Sequence, residues 1–161
     1  AGVPVRTVAS PVPLADVVAT HRVVMIHELA RTQGALLDRP ELIGPRLAET
    51  IREGMGVSDA AYLDALGRLA AMRERVWSAF PPPAVLLLPA APGPAPVGEA
   101  TGDPVFVTVA TALAGPSATV SAARCPATGM PLGTLVLSAP GTDAWLAGVL
   151  RGAPAGTPFA R

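Results

Sequence analysis

Three consecutive prolines, Pro81-Pro82-Pro83, divide this 161-residue chain into two stretches of different hydrophobic period. No helix continues through them, because proline lacks a backbone N–H and its ring clashes with the preceding turn. Upstream, apolar residues recur at helical spacing; downstream they form short runs bounded by Gly and Pro. The clearest stripe, Tyr62, Leu66, Leu69, Val76 and Phe80, predicts a helix capped by Ser58, with Asp59 in its first turn, and ended by the prolines. A second helix is expected from Pro13 to near Gly34. It is apolar on most sides between Val23 and Ile26, so it should be well buried. A third, half exposed, should start at Pro45 and stop by Gly54, carrying Leu47 and Ile51 in line with Ile43. At the start, Val3 to Val8 alternates as a short strand would, with Pro4 suggesting an edge.

Beyond the break, Val85 to Leu88 reads as a strand buried on both faces. Residues 106–115 read as a short apolar helix or turn ending at Gly115, residues 117–123 and 131–139 as strands, and residues 142–152 as a helix capped by Thr142 and closed by Gly152. The class is α/β. One unit is expected over 1–161, with a helical part at about 11–80, a strand-rich part at about 84–151 and a loose tail at 152–161. The proline-rich passage from Pro89 to Asp103 is expected to be a loop within that unit rather than a linker. A strand as apolar as Val85 to Leu88 calls for neighbours on both edges, yet few other strands are present. The chain is therefore expected to be either a compact orphan or the C-terminal portion of a larger sheet protein.

Composition removes several classes of function. Twelve basic residues balance twelve acidic ones, so nothing electrostatic calls for nucleic acid or an anionic membrane as partner. The longest apolar stretches fall short of the roughly 20 residues that span a bilayer. With Cys125 alone there is no internal disulfide, and a reducing, cytoplasmic setting is expected. The start, Ala1-Gly2-Val3, lacks both an initiator Met and a signal-peptide layout and is expected to be a cut end. Every basic residue is Arg; there is no Lys, so no Lys base, Schiff base or phosphate-loop Lys can be assembled within the chain. Arg cannot replace it, because it stays protonated.

Candidate chemical groups are few. His21, Met25 and Glu28 fall at i, i+4 and i+7, which puts an imidazole and a carboxylate on one helical face as a candidate proton-handling pair. The plain alternative is that His21 and Glu28 hydrogen-bond to neighbouring backbone or Arg groups on a helix that is otherwise buried. His27-Glu28 resembles half of a zinc motif, but Arg31 stands where the second His belongs, and no metal is expected. Cys125 has Arg124 beside it and no nearby His, so a structural thiol is expected. Ser117 and Ser121 lie outside any G-x-S-x-G element. The glycines of "GEATGD" do not lie between a strand and a helix, so no dinucleotide or other cofactor is expected.

Several motifs follow one another in a recognisable order. They are "AVLLLPAAPGPAP", "TGDPVF" from Thr101, "TALAGPSATVS" from Thr111 and "GMPLGTLVLSAPGTDAWLAGVL" from Gly129, preceded by "VVMIHELA" and "GMGVSDAAYLDALGRLAAMRERV". In order and spacing they resemble the C-terminal region of the amidase signature family of serine amide hydrolases, over roughly residues 2–150. The resemblance implies a mixed β-sheet covered by α-helices. It also implies a Ser-cisSer-Lys mechanism whose residues lie in an N-terminal half not matched here, since the chain has no Lys and no Ser-Ser-Gly. The chain alone is then expected to be inactive, completing the sheet and forming a pocket wall for a small-molecule amide. Phe106, Thr111 and Leu113 are its candidate substrate-facing residues, with plain core packing as the alternative. A homo-oligomer is compatible with this reading. Ser117 stands where the family has Pro, and Leu135 where Gln is common. Both departures fit a diverged amidase, and they also fit a degenerate, non-catalytic binding or structural domain.

Overall fold

A computed structural model describes residues 5–98 and 100–152. Its elements are α1 (Leu14–Gln33), α2 (Pro45–Met55), α3 (Asp59–Ala79), β1 (Val85–Pro89), α4 (Val105–Ala112), β2 (Ser117–Arg124), β3 (Pro131–Ser138) and α5 (Asp143–Gly152). Two 3-10 turns, Gly34–Asp38 and Pro40–Leu42, join α1 to α2. Backbone contacts gather the chain into two units, Val12–Glu74 and the described residues on either side of it, so α3 passes from one into the other.

In the Val12–Glu74 unit, α1 buries two adjacent stripes. Val17, Thr20, Val24 and His27 form one, and Ile26 and Ala30 the other, while Arg22, Met25 and Glu28 on the remaining side are exposed, so α1 is less buried than its apolar stretch suggests. Ile26 and Ala30 receive α2 at Gly54, where an added Cβ would lie 1.9 Å from the Ile26 carbonyl oxygen. Gly54 therefore does not end α2, as its composition suggested. It sits within the last turn as the point of closest approach, and the helix runs on to Met55. Ile51 is fully buried and Leu47 is exposed, so the Ile43-Leu47-Ile51 line is only partly a core stripe. Ser58 caps α3 as expected, its Oγ accepting the Ala61 N–H at 3.2 Å.

The other unit is built on a three-stranded sheet of order β1-β3-β2. Both pairings are antiparallel, with Leu87 opposite Val136 and Val120 opposite Thr134. The expected α/β mixture of elements is present, but these strands do not form a mixed sheet. β2 and β3 are joined by a short hairpin, which fixes them antiparallel, and β1 joins the other side of β3 in the same sense as β2. As the middle strand, β3 buries Leu135, Val136, Leu137 and Ser138. Helix α4 lies against β3 and contributes Val109, Ala110 and Ala112 to the core.

The expected strand at Val3–Val8 is not formed over its described part. Val5 and Val8 stay exposed and take no place on a sheet edge. Residues 1–4 lie outside the described residues, as does the tail from 153 onward. The proline-rich passage has both flanks, β1 and α4, in the same unit, and is exposed over residues 91–98 and 100–104. Asp103 ends it by accepting the Val105 N–H at 2.9 Å, starting α4 beyond Pro104.

Candidate functional site

The densest group of polar side chains joins α1 to the first turn of α3. His27 is only 6% exposed, and its Nε2 lies 3.1 Å from Asp59 Oδ1 and 3.2 Å from an Arg31 guanidinium nitrogen. An ionised carboxylate only accepts, so in the His27–Asp59 hydrogen bond Nε2–H donates, while the Arg31 guanidinium, which only donates, bonds to the same carboxylate oxygen. Together the His27 hydrogen bond and then the Arg31 charge hold the Asp59 carboxyl below its ordinary range. Tyr62, one turn along α3, stacks on the His27 ring with centroids 4.2 Å apart and planes 15° from parallel. The Tyr62 hydroxyl donates to Glu28 Oε1 at 2.9 Å, and that bond is the main cause of its raised pKa.

This arrangement changes the meaning of the candidate pair on α1. His21, Met25 and Glu28 do line one shallow groove, with Val24, Leu29 and Thr32. Glu28, however, spends its carboxylate on Tyr62 and acts on His21 through space. Burial, then the nearby Arg73 charge, lowers the His21 pKa, and the Glu28 charge opposes them. The shift favours the neutral imidazole, and the Glu28 carboxylate is turned to Tyr62 rather than to this ring. The plain alternative has the wrong partner: among the described residues the Glu28 carboxylate bonds neither backbone nor Arg but the Tyr62 hydroxyl on α3. His27 pairs with Asp59 across to α3, not with Glu28, because adjacent helical residues diverge by about 100°. Its Nδ1 is buried without a partner, so no reacting group can reach it from solvent.

In the sheet unit, the three candidate pocket residues separate around α4. Phe106 and Leu113, seven apart, share a face, whereas Thr111 is turned away, exposed, with its hydroxyl donating back to Val107 O at 3.0 Å. Leu113 is 3% exposed, and its carbonyl accepts the Trp77 Nε1–H at 3.0 Å. Ser117 and Ser121 lie exposed along β2. Half-buried Cys125 sits at the β2–β3 turn. There the Thr128 hydroxyl, and then the Ala127 and Thr128 backbone N–H groups, hold its thiol pKa below the ordinary range. Among the described residues, no cluster of three or more His, Cys, Asp or Glu side chains is placed to hold a metal.

Sequence reading missed the His27-Asp59-Arg31 group. The i, i+4 spacing of His27 and Arg31 and the first-turn position of Asp59 were visible, but nothing local joins residues 28 or more positions apart. The Trp77 bond to Leu113, 36 residues on, was hidden for the same reason.

No family model and no curated protein matches the sequence. Solved structures do match the fold. A crystal structure of an amidase aligns with a TM-score of 0.70 at 26% identity, over 85% of this chain and 36% of that one. An unexpected vestigial protein complex that reveals the evolutionary origins of an s-triazine catabolic enzyme aligns with a TM-score of 0.70 at 21% identity, over 82% of this chain and 32% of that one. The inhibitor-bound complex from the same work gives a TM-score of 0.70 at 21% identity, over 81% and 32%. The chain thus spans about a third of the length of the solved structures it matches. The resemblance to amidases read from the motifs holds in the fold, and this chain is similar in structure to a portion of an amidase.

Proposed function

We propose that this chain is the C-terminal part of an amidase signature hydrolase that cleaves carboxamide C–N bonds, with the reacting groups on polypeptide outside its 161 residues. The observation that carries the reading is the amidase-like fold over most of this chain but only about a third of the solved amidase. The absence of Lys supports it, because a base for Ser-cisSer-Lys chemistry has to come from elsewhere. In that chemistry a neutral Lys, acting through a Ser in a cis peptide, takes the proton of a nucleophilic Ser. The Ser attacks the amide carbonyl, backbone N–H groups hold the oxyanion, the amine leaves with a proton, and water hydrolyses the acyl-enzyme to the acid.

Here the contribution of this chain is shape. Helix α4 and the turn after it, with half-buried Phe106 and the Leu113 backbone held by Trp77, supply an apolar wall for a small amide substrate. Thr111 is the weakest of the three candidates, since its hydroxyl is used within the helix. The lone Cys125 goes with a reducing, cytoplasmic setting.

A second reading, a non-catalytic domain derived from an amidase, draws on Ser117 and Leu135 standing where the family has Pro and Gln. The coding sequence upstream of Ala1 separates the two. An in-frame Lys and a Ser-Ser-Gly segment are expected, and an unrelated upstream domain would favour the second reading.

A further inference from the structure

The shallow groove on α1 holds a nitrogen donor and a sulfur donor about one helical turn apart, on His21 and Met25. The other polar members of the groove are committed: the Glu28 carboxylate accepts from Tyr62, and the Thr32 hydroxyl donates back to Glu28 O at 2.8 Å. The His21 imidazole is half-buried and takes no hydrogen bond among the described residues. Met25 is 40% exposed beside the aliphatic side chains of Val24 and Leu29. An exposed methionine is ordinary on its own. Its position relative to His21 is what distinguishes it.

The i, i+4 spacing sets the two Cβ atoms about 5–6 Å from each other. Long side chains on a helix lean towards its N-terminus, so Met25 reaches back over the turn that carries His21. An ion bonded to both at about 2.0–2.3 Å would hold the nitrogen and the sulfur about 4 Å apart, which fits that spacing. The Arg73 and Glu28 charges act on His21 in opposite senses. A divalent ion, which calls for several nitrogen or anionic ligands, therefore finds little here, and among the described residues no His, Cys, Asp or Glu cluster supplies them. An imidazole with a thioether is instead a soft donor set, of the kind that selects copper(I).

We infer that His21 and Met25 form a surface site for a soft monovalent metal ion of the copper(I) class, bound between an imidazole nitrogen and the Met25 Sδ. The site is separate from His27-Glu28, whose imidazole is buried against Asp59. It does not depend on the amidase reading.

Silver(I), a closed-shell ion of the same charge and donor preference, is the probe. It is titrated in chloride-free buffer into the 161-residue chain carrying Cys125→Ser, which removes the competing thiol. The Met25 methyl and His21 ring NMR signals should shift together and saturate at about one equivalent, with the His27 ring and the Met130 methyl unchanged at that point. Met25→Leu and His21→Gln should each weaken binding by about tenfold or more, whereas Met130→Leu leaves it as it was. If Met25 and Met130, itself 41% exposed, titrate side by side, the binding is adventitious and the inference falls. It falls equally if the His21 shift survives Met25→Leu undiminished, or if zinc(II) moves the Met25 methyl at the same concentration as silver(I).

Discussion

Asp59 and His27 form a pair of unequal partners: a carboxylate side chain 73% exposed to solvent meets, at 3.1 Å, an imidazole whose side chain is 7% exposed. The buried ring is fixed in place by the exposed acid, by Arg31 beside it and by the Tyr62 ring against it. The group joins two helices of the Val12–Glu74 unit, with the imidazole shielded from solvent and the Asp59 carboxylate open to it.

Its pH dependence follows from the sign of the Asp59 shift. The folded-state pKa is lowered from 3.8, so the stabilisation is fully present above 3.8 and is lost as pH falls through the lower folded value. Asp59→Asn should be less stable than the native chain at neutral pH, with the gap closing below pH 3.8. Urea titrations across that range measure it. The exposure of Asp59 keeps the effect small.

His21 gives a separate signature at higher pH. Its folded-state pKa is lowered from 6.5, so the unfolded chain takes up the proton first and stability declines as pH falls through 6.5 towards the folded value. His21→Gln should flatten the stability curve in that window and leave the acid limb of Asp59 unchanged. Denaturation midpoints of both proteins between pH 5 and 8 would show it.

Gly54→Ala tests the helix contact. A Cβ there would meet the Ile26 carbonyl oxygen at 1.9 Å and its carbon at 2.6 Å, so α2 has to move away from α1. A loss of about 1–3 kcal/mol is expected, the usual cost of overpacking, even though alanine is the better helix former. A stabilised variant would show that the two helices are not held at that distance.

Ala114→Gly should act in the opposite direction. Ala114 has φ of 56° just after α4, a left-handed conformation that costs a residue with a Cβ about 1–2 kcal/mol. Glycine relieves that strain while adding unfolded-state freedom, for a net gain of up to about 1 kcal/mol. Neighbouring Gly115 is glycine for another reason. Its Cβ would lie 2.0 Å from the Ser138 carbonyl oxygen, so the converse change, Gly115→Ala, should destabilise. Thermal melts of the two variants should shift in opposite senses.

Much of this fold was legible because its signals are local. The prolines after Phe80 end α3, Ser58 caps it, and the apolar runs around Leu87 and Val136 are the strands. Val5 and Val8 show the limit of alternation as a signal, since a strand needs a neighbour and among the described residues none pairs with them. The role of Gly54 was hidden because close approach to Ile26 is a property of two helices together, whereas glycine in one sequence reads as a stop. The candidate site was less legible for the same reason. Phe106, Thr111 and Leu113 follow from the family resemblance alone, and helical geometry turns Thr111 away from the other two.

The most direct test of the proposed function is the rate of carboxamide hydrolysis, measured for the purified 161-residue chain alone and for its assembly with the polypeptide encoded upstream of Ala1. The account predicts no turnover by the chain alone and turnover by the assembly. Hydrolysis by the chain alone that survives purification and disappears in Ser117→Ala or Cys125→Ala would contradict it.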